Sequence, residues 1–293
     1  MKKRTKLLCL LLVFIVILSA CGTKSDQKHD SQSEGHTYKR IISLMPSNTE
    51  ILYELGLGDD VIGVSTVDDY PKEVKDKKQF DAMKLNKESL MKAKPDLILA
   101  HESQKATNDK VLKGLKGNGV KVVYVKDAQS IDEMYESFMQ IGKVTHKEKA
   151  SKKLVKETKQ NIERVKNSVP DDAKGQKVFM EISSEPEIYT AGKQTFFDDM
   201  LTQLKAENSF SNLNGWQKVS KEDIIKQNPD LMISTMGISS SEYQKMIRKR
   251  GGFSQIKAVQ HNKVKAVNGD EISRPGPRID DGLKKLKEAI YEQ

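Results

Sequence analysis

KESLMKAKPDLILA at residues 87–100 and KEDIIKQNPDLMIS at residues 221–234 are two versions of one segment, and their reading decides the fold. Glu88 answers to Glu222 and Pro95 to Pro229, both at an offset of 134 residues. Each copy opens with a charged helical turn, stops at Pro-Asp and runs into a short apolar stretch, Leu97–Ala100 in the first and Leu231–Ile233 in the second. Proline lacks the N–H a helix needs and disfavours helix at the residue before it, so the helix ends there. A short apolar run bounded by a turn reads as a buried strand. A helix–turn–strand unit present twice implies two similar lobes. Two lobes make a cleft, and ligands favour clefts at domain interfaces.

The flanks extend both copies in the same sense. Arg40–Leu44, Val61–Val64, Leu97–Ala100 and Val120–Val125 read as strands. Helical patterns cover Thr49–Leu55, closed by Gly56, then Lys87–Lys94 and Lys105–Leu115. Strands alternating with helices at these lengths specify an α/β lobe with a mainly parallel sheet. Val178–Ile182, Leu231–Ser234 and Val264–Val267 repeat the pattern. Between the two sets, residues 130–167 hold no Pro and a single Gly, Gly142. Apolar residues recur at Met134, Phe138, Ile141, Leu154, Ile162 and Val165, which predicts one long helix, bent near Gly142. The expected organisation is an N-terminal lobe over 38–128, a linking helix over 129–168 and a C-terminal lobe over 169–293. The fold class is therefore α/β, two Rossmann-like lobes joined by a single long helix.

Lys2, Lys3, Arg4 and Lys6 precede an apolar run, Leu7–Leu18, that falls short of the ~20 residues a spanning helix takes. It reads as a signal peptide over 1–20. The run ends in Leu18-Ser19-Ala20-Cys21-Gly22, which resembles the lipobox of bacterial lipoproteins and marks Cys21 as the lipid-attachment residue. Lipid there anchors a protein to the extracytoplasmic face of the cell membrane without a spanning helix. Residues 21–37 are polar and read as a flexible tether, with His29 and His36 as solvated members. Cys9 lies in the cleaved run, so Cys21 has no intrachain disulfide partner. Removing the four N-terminal cations lowers the formal charge from +9 to +5. The remaining lysines interleave with acids and form no basic stripe, which argues against a nucleic-acid partner.

Five motifs in order, Ser43-Leu-Met-Pro46-Ser-Asn-Thr49-Glu50, Asp69-Tyr70-Pro71, the two Pro-Asp-Leu segments, Gly215-Trp216 and Ser273-Arg-Pro-Gly-Pro-Arg-Ile279, carry a family resemblance. From about residue 39 to 290 the chain resembles the iron-complex and cobalamin substrate-binding proteins of ABC importers, most closely the cobalamin branch. The resemblance implies the helical-backbone periplasmic-binding-protein fold and a monomer with no resident cofactor. It also implies that Glu88 and Glu222 dock the two lobes onto permease subunits; as local signals alone, both equally suit the first turn of a helix. For the ligand it points to Pro46, Ser47 and Asn48 at a strand-to-helix turn, to Tyr70, Met83 and His101, and to Trp216, Asp270 and Arg274. Trp216, the only tryptophan, is expected in a loop, where its flat face suits a corrin or porphyrin. Asp270 is open to two readings, an acceptor for a corrin side-chain amide or a turn residue in Asn268-Gly269-Asp270. Fewer aromatics than the cobalamin branch carries, with Met83, Met236, Arg274 and Arg278 near the cleft positions, keep a ferric siderophore or haem open as ligands.

Other functions find less support. Gly-x-Ser-x-Gly and His-Glu-x-x-His are both absent from the sequence, so hydrolase chemistry has no recognisable apparatus. Ser239-Ser240-Ser241 reads as a loop. His101, His146 and His261 are scattered and do not form a metal-ligand set.

Overall fold

A computed structural model of the chain describes residues 37–171, 173 and 175–292. The expected signal peptide, the tether and Cys21 lie outside the described residues. No described helix is long and apolar enough to cross a membrane.

The first lobe runs β1 (Ile41–Ser43), α1 (Pro46–Glu54), β2 (Val61–Ser65), β3 (Lys78–Phe80), α2 (Lys87–Lys92), β4 (Leu97–His101), α3 (Lys105–Lys116) and β5 (Lys121–Val125). Its sheet has the order β3-β2-β1-β4-β5, and every pairing is parallel. The strands read as continuous apolar runs because helices cover both faces. The chain then forms α4 (Ile131–Val144) and α5 (Glu148–Asn167). The second lobe follows as β6 (Lys177–Glu181), β7 (Ile188–Ala191), α6 (Phe196–Gln203), β8 (Glu207–Asn208), β9 (Trp216–Val219), α7 (Lys221–Gln227), β10 (Leu231–Ser234), α8 (Ser240–Lys249), α9 (Lys257–Gln260), β11 (Val264–Ala266), α10 (Gly269–Ser273) and α11 (Ile279–Tyr291). Its parallel sheet is ordered β11-β10-β6-β8, and β7 pairs antiparallel with β9 beside it.

The repeated Pro-Asp has one structural task in both lobes. Asp96 accepts from the N–H groups of Lys39 (2.7 Å) and Arg40 (3.0 Å), and its own N–H returns to Arg40 O (3.0 Å). Asp230 accepts from Lys177 N–H (3.0 Å) and donates to Lys177 O (2.9 Å). Each aspartate therefore stitches the start of a central strand to its neighbour, β1 to β4 and β6 to β10.

The single long helix over 130–167 is corrected: the segment is two helices, α4 and α5. Ser130 caps the first through Glu133 N–H (3.2 Å), with Asp132 and Glu133 favourably placed in the first turn. Its end needs no glycine. Thr145 Oγ1 bonds back to Ile141 O (2.8 Å), and His146 adopts a left-handed φ of 56°. Gly142 marks a close approach rather than a bend, since a Cβ there would lie 2.5 Å from Ser151 Cβ. The 20-residue α5 is the longer of the two and packs on α4 and α11.

One buried apolar cluster runs from Ile41 and Ile51 through Phe138 and Ile162 to Met180 and Leu283. The lobes thus share a core across α4, α5 and α11. Separate clusters around Ile98 and around Phe179 cover the outer faces of the two sheets. Burying each such side chain stabilises by about 1.5–3 kcal/mol, so parting the lobes exposes core and is opposed.

Candidate functional site

In an open parallel sheet, ligands bind outside the carboxyl ends of the strands, where the order reverses. In the first lobe this point lies between β1 and β4, and in the second between β6 and β10. The two edges turn toward a common space. Asp69, in the segment following β2, meets Arg274, in the segment following β11, at 2.6 Å. The exposed large apolar side chains gather on these edges: Val67 and Tyr70 after β2, Met83 after β3, and Tyr189 and Trp216 on the β7/β9 pair. That pair leaves directly from the carboxyl end of β6, where Ile182 N–H bonds Tyr189 O (3.0 Å). Exposed apolar groups concentrated in one region mark a binding surface.

Tyr70 is 40% exposed, Trp216 48% and Met83 79%. Trp216 is not in a loop: Gly215, with φ of 68°, turns the chain so that Trp216 opens β9 opposite Ala191. At the start of α1, Met45 supplies no side-chain cap and Pro46 occupies the first turn. The N–H groups of the first turn, at Ser47 and Asn48, consequently lack a capping side chain. Pro46 and Asn48 are themselves buried, and Asn48 Nδ2 reaches back to Ala100 O (3.5 Å).

His101 is committed within its lobe. Nδ1 lies 2.8 Å from Ser103 Oγ, and Nε2 lies 3.5 Å from Asp127. Burial holds its pKa below the ordinary histidine value, against the pull of Asp127 and Glu102, so the ring stays neutral near pH 7. Asp270 begins a helix rather than a hairpin: Asn268 Oδ1 accepts its N–H (3.0 Å), and its half-exposed carboxylate lies 3.0 Å from Arg274. Ser239 likewise caps α8 in a capping box with Glu242, so the serine triplet starts a helix.

Arg274 and Arg278 cross from the second lobe to the first. Arg278 bonds Glu50 twice, Nε to Oε2 at 2.9 Å and Nη2 to Oε1 at 2.6 Å. Arg274 adds Glu50 at 3.5 Å and the Val67 carbonyl at 3.5 Å to its Asp69 and Asp270 partners. Burial works against the Arg274 charge, but Asp69, Asp270 and Glu50 outweigh it, and its pKa rises. Sequence reading missed Glu50, Asp69 and Arg278 as a set. The available signal was an acid on a helix face between Thr49 and Ile51, since a buried charge requires a partner.

Glu88 and Glu222 occupy equivalent second positions of α2 and α7, capped by Asn86 and Ser220. Both are exposed, and neither forms an ion pair among the described residues. Both helices begin on the carboxyl-end side of their sheets, the side on which the exposed apolar residues lie. No cluster of three or more His, Cys, Asp or Glu suited to a metal ion occurs among the described residues.

Residues 41–270 match the periplasmic binding protein family. An ABC transporter substrate-binding lipoprotein of Bacillus subtilis is 41% identical, over 99% of this chain and 98% of its own length. A vitamin B12-binding protein of Pectobacterium carotovorum is 29% identical over 82% of this chain and 84% of its own. Among solved structures, a possible iron-binding (periplasmic solute-binding) protein from Staphylococcus epidermidis is 65% identical, with a TM-score of 0.82. That alignment covers 87% of this chain and all of the other.

Proposed function

Because the chain belongs to the periplasmic binding protein family, as a substrate-binding component of an ABC transporter, we propose that it captures a corrinoid of the cobalamin type and delivers it to the permease. One observation carries this reading. Tyr70 on the first lobe and Trp216 on the second leave flat aromatic surface exposed at the strand ends, and such surface suits a planar macrocycle. Asp270 supplies a half-exposed carboxylate to accept an amide from the corrin rim. The vitamin B12-binding relative supports the same ligand class. The core shared between the lobes keeps the site largely preformed, which lessens the ordering entropy lost on binding.

Glu88 and Glu222 are the docking carboxylates in this reading. Without an ion-pair partner among the described residues and repeated on both lobes, they meet basic residues on a two-fold permease, where charge pairs chiefly set orientation and on-rate. Cys21 carries the lipid that holds the protein at the extracytoplasmic face, a role supported by the 41% identical lipoprotein. The protein acts as a monomer. Its partners are the permease, the ligand and the membrane, with no nucleic acid and no catalytic step.

A second ligand class rests on the Staphylococcus epidermidis likeness and on Arg274, whose cation suits an anionic ferric siderophore or the propionates of haem. Titration of Trp216 fluorescence separates the two. Saturable one-to-one quenching by cyanocobalamin below micromolar concentration, lost in Asp270→Ala, is the expected result. Silence toward cyanocobalamin with saturation by haemin or a ferric hydroxamate would overturn the corrinoid assignment.

A further inference from the structure

We infer that Arg278, locked by the buried carboxylate of Glu50, is a positioning residue for Tyr70, so that the second lobe sets the aromatic wall of the first. Glu50 is 2% exposed. A carboxylate so placed persists only when it is paired and hydrogen-bonded, and here both oxygens are taken by the Arg278 fork at 2.6 and 2.9 Å. A guanidinium held through Nε and one terminal nitrogen has no freedom to rotate out of its plane. Those bonds engage its edge, and the guanidinium carbon lies over the Tyr70 ring, 3.9 Å from the ring centre. The other cation–ring contacts among the described residues lie at 4.7 Å or beyond, so this one is a close cation–π contact rather than passing proximity.

The anchor for this contact is the second lobe. Arg278 immediately precedes α11, whose Ile279, Leu283 and Leu286 are fully buried in the shared core. Arg274 clamps the same loop of the first lobe through Asp69 and the Val67 carbonyl. The position of the Tyr70 ring therefore depends on the docking of one lobe on the other. Glu50 and Arg278 need never touch the ligand to govern its affinity.

Arg278→Lys keeps the charge and loses the fork; Glu50→Gln keeps the shape and loses the charge. Both are made in the full chain with ring-labelled tyrosine, the Tyr70 resonance being identified by its loss in Tyr70→Phe. Expected are a native circular dichroism spectrum, a displaced Tyr70 resonance and cyanocobalamin affinity lowered about 3- to 30-fold. In a Tyr70→Ala background the same substitutions change affinity less than about 2-fold, because the route through Tyr70 is gone. An unmoved Tyr70 resonance, or an equal loss of affinity in the Tyr70→Ala background, overturns the inference. The affinity arm rests on the corrinoid reading and the resonance arm does not. A wild-type chain that ignores cyanocobalamin therefore sinks that reading and leaves the resonance to decide this one.

Discussion

Replacing Arg250 by leucine removes the one cation that, among the described residues, reaches the fully buried carboxylate of Glu181. Glu181 ends β6 with no exposed side-chain surface, and the Arg250 side chain is 1% exposed. Arg250 Nη1 bonds Glu181 Oε2 at 2.8 Å, Nη2 bonds Oε1, and Tyr243 OH donates to Oε2 at 2.9 Å. Arg250 Nη2 also donates to Ser184 Oγ at 2.7 Å, while its Nε lies 3.8 Å from Glu185. Burial works against the Arg250 charge, but the Glu181 bonds overcome it and raise its pKa. Arg250→Leu leaves Glu181 with one phenolic donor, and breaking a buried pair in this way costs about 3–5 kcal/mol. For a domain of this size that corresponds to roughly 6–20 °C in Tm. Urea denaturation and thermal scans followed by circular dichroism measure both quantities. The triple replacement Glu181→Met, Arg250→Leu, Tyr243→Phe removes the carboxylate together with its two side-chain donors and recovers most of the loss, because desolvation of the pair offsets its attraction. A single replacement costing less than about 1 kcal/mol, or a triple no better than the single, would refute this account.

Three further outcomes follow from local geometry. His101 is held neutral by burial, whereas in the unfolded chain it takes up a proton near pH 6.5. Stability therefore falls as pH drops below about 6.5, and His101→Asn flattens that fall; urea midpoints from pH 5 to 8 that keep the wild-type slope would contradict it. Asp96 accepts two backbone N–H groups at the start of β1 and Asp230 one at the start of β6. Asp96→Ala costs about 2–3 kcal/mol and Asp230→Ala about 1–2, and a reversed order in denaturant unfolding would show that the stitch is misjudged. His146 sits at a φ of 56° in the turn between α4 and α5. His146→Gly relieves the left-handed strain and stabilises by about 0.5–1 kcal/mol, visible as a higher urea midpoint.

The parallel sheets were legible because their signals are local. Val61–Ser65, Leu97–His101 and Leu231–Ser234 are apolar runs bounded by turns, and burial on both faces leaves that mark in any such strand. The repeat around Pro95 and Pro229 disclosed two lobes because the same Asp-mediated stitch is needed wherever a central strand starts. What escaped was non-local or unmarked. The break at Thr145–Lys147 uses a threonine back-bond and a left-handed histidine, where a glycine would have announced it. The β7/β9 pair is legible only when both partners are known, so Trp216 looked like a loop residue. His101 looked available until Ser103 and Asp127 were found against its ring.

By itself, then, the sequence determined the two α/β lobes and the equivalent placement of Glu88 and Glu222, while Cys21 stays an expectation outside the described residues. Each follows from short local patterns and from the repetition of one of them 134 residues later. Tertiary structure alone decided how the site is assembled. Glu50 and Arg278 stand 228 residues apart, and nothing in either neighbourhood names the other. Their pairing exists because the shared core brings α1 and the start of α11 together, and a buried charge then takes the partner that packing supplies.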